Sequence, residues 1–305
     1  MHLADGQVSR EYTRYVNFKL GFMGLGLVAL ALGLMISLSL GTVKVPLSDV
    51  AKTLVGINVS ERFDLIVWNI RLPQVLAAVV AGAGLSVAGG AMQSILRNPL
   101  GSPFTLGISQ AAAFGAAFAV MILSSGIMQS THIGSITISN PYVTSISAYV
   151  FSMLAACVII VVSRMRGATP EVMVLTGVAL GAMFTAATMF LQYFADDMQL
   201  AAMVFWTFGD VSRASWTELS LLTAVTIPCS AYLLSRSWDY NAIDAGDETA
   251  KGLGVRVERV RMAGMLVASL VTAVIVSFLG VIGFVGLVAP HMVRRIIGGD
   301  NRFLM

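Results

Sequence analysis

Charge is what this chain lacks most. Asp, Glu, Lys and Arg make up 11% of its 305 residues, against 57% apolar, whereas a soluble domain carries about a quarter charged residues. So little charge cannot cover a water-facing surface, and a polytopic helical membrane protein is expected. Cysteine is nearly absent. Cys157 and Cys229 both sit in apolar runs, without a CxxC spacing or a histidine partner, so neither a disulfide nor a thiolate metal site is expected. His2, His132 and His291 stand far apart, and no HExxH, GxSxG or GxxxxGKS/T run occurs. No catalytic residue, metal site or cofactor is therefore expected on this chain, and any ATP that drives it is hydrolysed by a partner chain. The small net charge of +3 suits basic cytoplasmic loops better than nucleic acid.

What the chain does have is long apolar runs. They predict eight spans, at about residues 18–40, 71–97, 103–123, 142–162, 171–193, 219–234, 262–279 and 280–293. Residues 43–69 mix charged and apolar side chains at helical spacing and predict an amphipathic helix at the interface. Residues 126–141 read as an external loop. Residues 196–216, with Trp206 and Trp216, read as an interfacial segment anchored by aromatics. With a cytoplasmic N-terminus, every Lys and Arg except Lys44, Lys52, Arg62, Arg71 and Arg213 falls inside, as the positive-inside rule favours.

The second span is rich in small residues, including Gly82, Gly84, Gly89 and Gly90. Lipid does not reward them, but a neighbouring helix does, because small residues let two backbones approach closely. Gly177 and Gly181, four apart in the fifth span, carry the same signal. Pro99 and Pro103 must end the second helix. Every acidic residue lies in a loop or at a span edge, Glu171 and Glu218 being the nearest to an interior. That disfavours an ion-coupled carrier, which needs ionisable groups inside the membrane. Neither a carbonyl filter nor a ring of charge is visible for a channel. The most charged stretch, 236–261, contains a short helix expected after Asp244 and closed by Gly252 or Gly254. Such a helix on the cytoplasmic side suits the docking of an ATPase; a solvated charged loop is the alternative.

Several motifs occur in order and spacing: Ile70-Arg71-Leu72-Pro73, Gly82-Ala83-Gly84-Leu85, Gln93, Arg97-Asn98-Pro99-Leu100 and Leu106-Gly107-Ile108-Ser109. Leu175 to Gly181, the Gly246 to Gly254 loop, Gly280 to Val288, Pro290-His291 and Arg294 follow. Together they resemble the FecCD family, permease subunits of ABC importers for ferric siderophores, haem and vitamin B12. The resemblance implies an all-α transmembrane bundle of the type II ABC importer class, one permease domain over 1–305, in the cell membrane. It implies assembly as a homodimer or a paired permease, with ABC ATPase subunits below and a periplasmic or lipoprotein substrate-binding protein above. By resemblance, 237–258 is the cytoplasmic coupling loop, with Asp244, Gly246, Asp247, Glu248, Ala250, Lys251, Leu253 and Gly254 as its coupling residues. Asn98, Leu100 and Thr169 match the cytoplasmic gate. Arg71 matches an arginine that pairs with a glutamate of the binding protein, while Gln74 stands where a second such arginine is found. An iron–siderophore is the first expected cargo, a corrinoid the next, with haem or molybdate also within the family. Members usually have ten spans, so the eight expected here leave the last pair missing.

Overall fold

The structure, a computed structural model, describes residues 10–57, 59–123 and 141–305. The external loop expected at 126–141 lies outside them but for its last residue, as do His2 and His132. No strand occurs among the described residues. Contacts in space group the chain into two compact units, Met1–Val75 and Leu76–Met305.

In the first unit, α1 (Arg10–Ser39) is a long apolar helix whose Leu25, Leu27, Val28 and Leu32 are exposed. That is the surface of a helix facing lipid. The chain then turns into α2 (Leu47–Leu54), and Leu38, Val45 and Val50 close a small apolar core between them. Next, α3 (Glu61–Asp64) runs through a π-helical stretch, Leu65–Arg71, directly into α4 (Leu72–Ile95). The separate interfacial helix expected over 43–69 is thus replaced by α2 and by a leading extension of the second span.

The second unit holds the remaining elements. They are α5 (Ile108–Met121), α6 (Pro141–Met165), α7 (Pro170–Phe194), α8 (Asp197–Thr207) and α9 (Trp216–Ser235). There follow α10 (Ser237–Asp244), α11 (Asp247–Gly252), α12 (Val257–Leu279), α13 (Val285–Ile297) and α14 (Asn301–Leu304). Its core runs between α4, from Ala77 to Ile95, and α12, whose Met265, Ala268, Val271 and Ile275 are all fully buried.

Small residues carry the packing as the sequence predicts. Gly107, at φ +82°, lies against α7 so closely that a Cβ would come 2.8 Å from both the Gly177 carbonyl oxygen and the Gly181 Cα. Only glycine combines that left-handed backbone with that approach. Ser147 of α6 donates to the Gly115 carbonyl of α5 at 2.6 Å. Phe114, Phe151 and Phe184 lock α5, α6 and α7 together, with ring centroids 4.9 to 6.4 Å apart.

Of the eight expected spans, six are long and apolar enough to cross a bilayer, again among the described residues. The third and eighth are not. Helix α5 has 14 residues and α13 has 13, about 20 Å each at 1.5 Å per residue, against a hydrocarbon core of about 30 Å. Each follows a glycine-bearing, non-helical approach, 98–107 before α5 and 280–284 before α13. Phe104 and Phe284, from those two approaches, lie with tilted rings and centroids 6.2 Å apart.

Candidate functional site

One end of the second unit gathers three segments that are far apart in sequence: the turn after α4, the turn between α6 and α7, and the loop 237–258. The opposite end holds the start of α9 and the end of α12. There the Asp210 amide donates to Leu279 and the Tyr142 hydroxyl donates to Glu218. The first end carries Arg97, Arg164, Arg166, Arg236, Arg256, Arg259 and Arg294, basic residues that the positive-inside rule leads one to expect on the cytoplasmic side.

Helix α4 stops at Ile95, before the two prolines. Arg97 then adopts a left-handed backbone at φ +47°. Asn98 stabilises the reversal by accepting the Leu100 amide on its Oδ1 at 2.9 Å, the local turn for which Asn is suited. Leu100 is left 60% exposed. At the second turn, Ala168 is buried at φ +52°. Thr169 caps α7, its Oγ1 accepting the Val172 amide at 3.5 Å ahead of Pro170 at the first helical position.

The loop has an inner and an outer face. Asp244, Asp247 and Ala250 turn inward, whereas Glu248, Lys251 and Leu253 face out. Glu248 pairs with Lys251 at 2.9 Å on the surface, and Leu253 is 70% exposed. Gly246, at φ +118°, starts α11, and Gly254, at φ +85°, ends the turn after it. The expected short helix is therefore present at Asp247–Gly252, with Gly254 as the glycine that lets the chain leave.

Arg261 binds all three segments together. It lies on α12 and is 2% exposed. Its Nε donates to the Ile95 carbonyl and its Nη1 to the Ala168 carbonyl, each at 3.0 Å. Its Nη2 donates to both oxygens of Asp247, at 2.9 and 3.1 Å. Ile95 and Ala168 are carbonyls that a helix end and a turn leave without an internal partner, so the guanidinium fork fills needs that apolar side chains cannot. Arg97, on the surface, stands 3.9 Å from the same aspartate.

Asp244 makes a second clamp. Its Oδ2 accepts from Ser94 at 3.0 Å, from Asn301 Nδ2 at 2.9 Å and from Arg294 at 3.5 Å. Asn301 is fully buried, and its amide nitrogen donates to Asn241 Oδ1 at 2.8 Å. Asp300 beside it accepts from Arg302 and Asn241, and these bonds hold its carboxyl well down, at about 2. Gln93 ties α4 to α13 through the Leu287 carbonyl at 3.1 Å. A cavity of about 330 Å³ opens here, lined by Gln93, Arg97, Asn98, Pro99, Asp244 and Arg294.

Arg71 belongs to the first unit. Its guanidinium donates to the carbonyls of Leu38, at 2.6 Å, of Ser39, at 3.1 Å, and of Val43. It is 8% exposed, and these bonds hold the α1–α2 connection in place. Arg261, Ser94 and Asn301 are the residues that motif reasoning missed. For Arg261 a signal existed: Val257, Arg261, Gly264, Met265 and Ala268 recur at helical spacing, which places the arginine on the apolar face of α12.

Comparison with known proteins agrees with this architecture. The model of the FecCD transport family matches residues 29–305. MJ0087 of Methanocaldococcus jannaschii, which carries the name of an ABC transporter permease, is 50% identical over 98% of this chain and 84% of that protein. The hemin transport system permease HmuU of Yersinia pestis is 34% identical over 94% of this chain and 81% of its own length. The vitamin B12 import permease BtuC of Vibrio cholerae is 33% identical over 79% and 69%. Among solved structures, an inward-facing metal-chelate type ABC transporter superposes with a TM-score of 0.76 at 29% identity, covering 92% of this chain and 83% of that one. With its glycine-packed spans and a polar cluster joining three motif segments at one end, this chain belongs to the FecCD transport family of ABC transporter permeases.

Proposed function

We propose that this chain is the transmembrane subunit of an ABC importer that moves a metal chelate, with an iron–siderophore as the first cargo. Separate ATPase subunits would dock on loop 237–258, and a binding protein would deliver cargo from the other face of the membrane. Two copies, or this chain and a related one, would enclose the pathway. Nucleotide-driven movement of the loop would open and close the turns that carry Asn98, Leu100 and Thr169.

The observation that carries this reading is the union of loop and turns in one polar cluster at the arginine-bearing end. A passive pore has no use for a surface helix tied from inside to both turns. An ion-coupled carrier is disfavoured because no Asp or Glu is buried among the described residues. A tetrapyrrole cargo is the second reading, resting on the relatives named for hemin and vitamin B12. The test is uptake into proteoliposomes holding this chain with its partner ATPase and binding protein, offered ferrichrome, haemin or cyanocobalamin. ATP-dependent uptake of ferrichrome is expected. Uptake without the ATPase, or uptake that follows an ion gradient, would sink the reading.

A further inference from the structure

The two aspartates of the docking loop are three residues apart, and both reach the last turn of α4. Asp244 holds Ser94 directly, and Asp247 holds Ile95 through Arg261. Adjacent residues of one helix end are thus fixed to the loop by two routes. Arg261 carries the same restraint across to Ala168, the residue before Thr169. Gly264, one turn further along α12, lies so close to Ile95 that a Cβ would come 2.5 Å from its Cδ1.

The chemistry of the joint makes it stiff. A guanidinium is a planar fork of fixed geometry, pre-organised for several acceptors at once. Buried at this depth, it cannot exchange a lost partner for water, so separating any one of the three segments leaves a desolvated charge or carbonyl. Moving the segments together costs none of this. Lysine at the same position would keep the charge but present a single point of donation in place of the fork.

We propose that Arg261 is a positioning residue that makes the docking loop, the Arg97–Leu100 turn and the Ala168–Thr169 turn one rigid body, so that a push on α11 reaches both turns undiminished. The proposal deepens the importer reading, because the push is supplied by the docked ATPase. The stiffness itself is a property of this chain and can be measured with or without that partner.

The experiment places spin labels at two exposed positions, Glu248→Cys on the loop and Leu100→Cys on the turn, in a chain with Cys157 and Cys229 replaced by Ser. Label separations are measured for the chain alone and for its complex with the ATPase, nucleotide-free and vanadate-trapped. A narrow separation that does not change with nucleotide is expected with Arg261 present. Asp247→Asn keeps an acceptor and tests the joint without emptying it. Both it and Arg261→Lys should broaden the distribution by about twofold or more. Distributions as narrow as the parent's in both variants, chain alone included, would overturn the proposal and leave Arg261 a structural peg. If the ATPase fails to bind the unlabelled parent chain, the importer reading fails instead, while the chain-alone distances still decide the stiffness.

Discussion

Gly89 of α4 touches Gly286 of α13 backbone to backbone: a Cβ at Gly89 would lie 1.6 Å from the Gly286 carbonyl oxygen. The contact brings Gln93, one turn further along α4, within reach of the Leu287 carbonyl, and so sets where α13 and its Arg294 enter the polar cluster. Gly82, on the same helix, has nothing within 4 Å of its Cβ position. Gly89→Ala is therefore expected to destabilise by about 1–3 kcal/mol, because backbone must shift to admit the methyl group. Gly82→Ala should be neutral or stabilising by up to about 1 kcal/mol. Thermal unfolding of the detergent-purified chains checks the pair, and equal midpoints would contradict the close approach.

Arg71→Glu removes donors from three carbonyls in the first unit and puts a carboxylate among them. Bonds to a charged group are each worth about 1.5–3 kcal/mol, so a strong fall in folded yield is expected, with Arg71→Lys partly spared. Size-exclusion yield of the three chains is the readout. Normal folding of the Glu variant with weaker binding-protein docking would favour the docking role that the family resemblance implies.

Asp300 gives a pH dependence with a definite sign. Its carboxyl is lowered from 3.8 to about 2, chiefly by the Arg302 side chain. A depressed acid contributes stability that is complete above the unfolded value and is lost as pH falls through the folded one. Protection of the α14 amides should therefore be full above about pH 4 and fade toward pH 2, by about 1 kcal/mol after allowance for partial exposure. Hydrogen exchange at stepped pH checks this. Asp300→Asn should abolish the dependence in that window, and its persistence would contradict the assignment.

Most of the spans were legible because lipid selects for unbroken apolar runs, and α6, α7 and α12 lie close to where those runs fall. Length was legible less well. The run at 103–123 merges a non-helical apolar approach with α5, since a carbonyl in a turn and one in a helix look alike in hydropathy. Helix α8 was hidden by Asp196, Asp197 and its aromatics, although Asp196 and Gln199 form a reciprocal cap that announces it. The gate and loop motifs were found one by one from residue identity. Their union was not, because it depends on Arg261, Ser94 and Asn301, whose partners lie up to 207 residues away.

The outer face of the loop should separate docking from folding. Glu248 and Lys251 pair with each other on the surface, and Leu253 is largely exposed, so Leu253→Asp is expected to shift stability by no more than about 0.5 kcal/mol. Loss of ATPase from the purified complex, with an unchanged unfolding midpoint, is the expected result. Retention of a stoichiometric ATPase would place the docking surface elsewhere.

The most direct measurement joins loop to transport. In proteoliposomes holding the complete assembly, ferrichrome uptake is compared at saturating ATP for the parent chain and for chains carrying Leu253→Asp or Asp247→Asn. The account predicts that uptake falls about tenfold or more in both variants, with hydrolysis lost in the first and kept in the second. Uptake at the parent rate in both would contradict the account that this loop drives the gate.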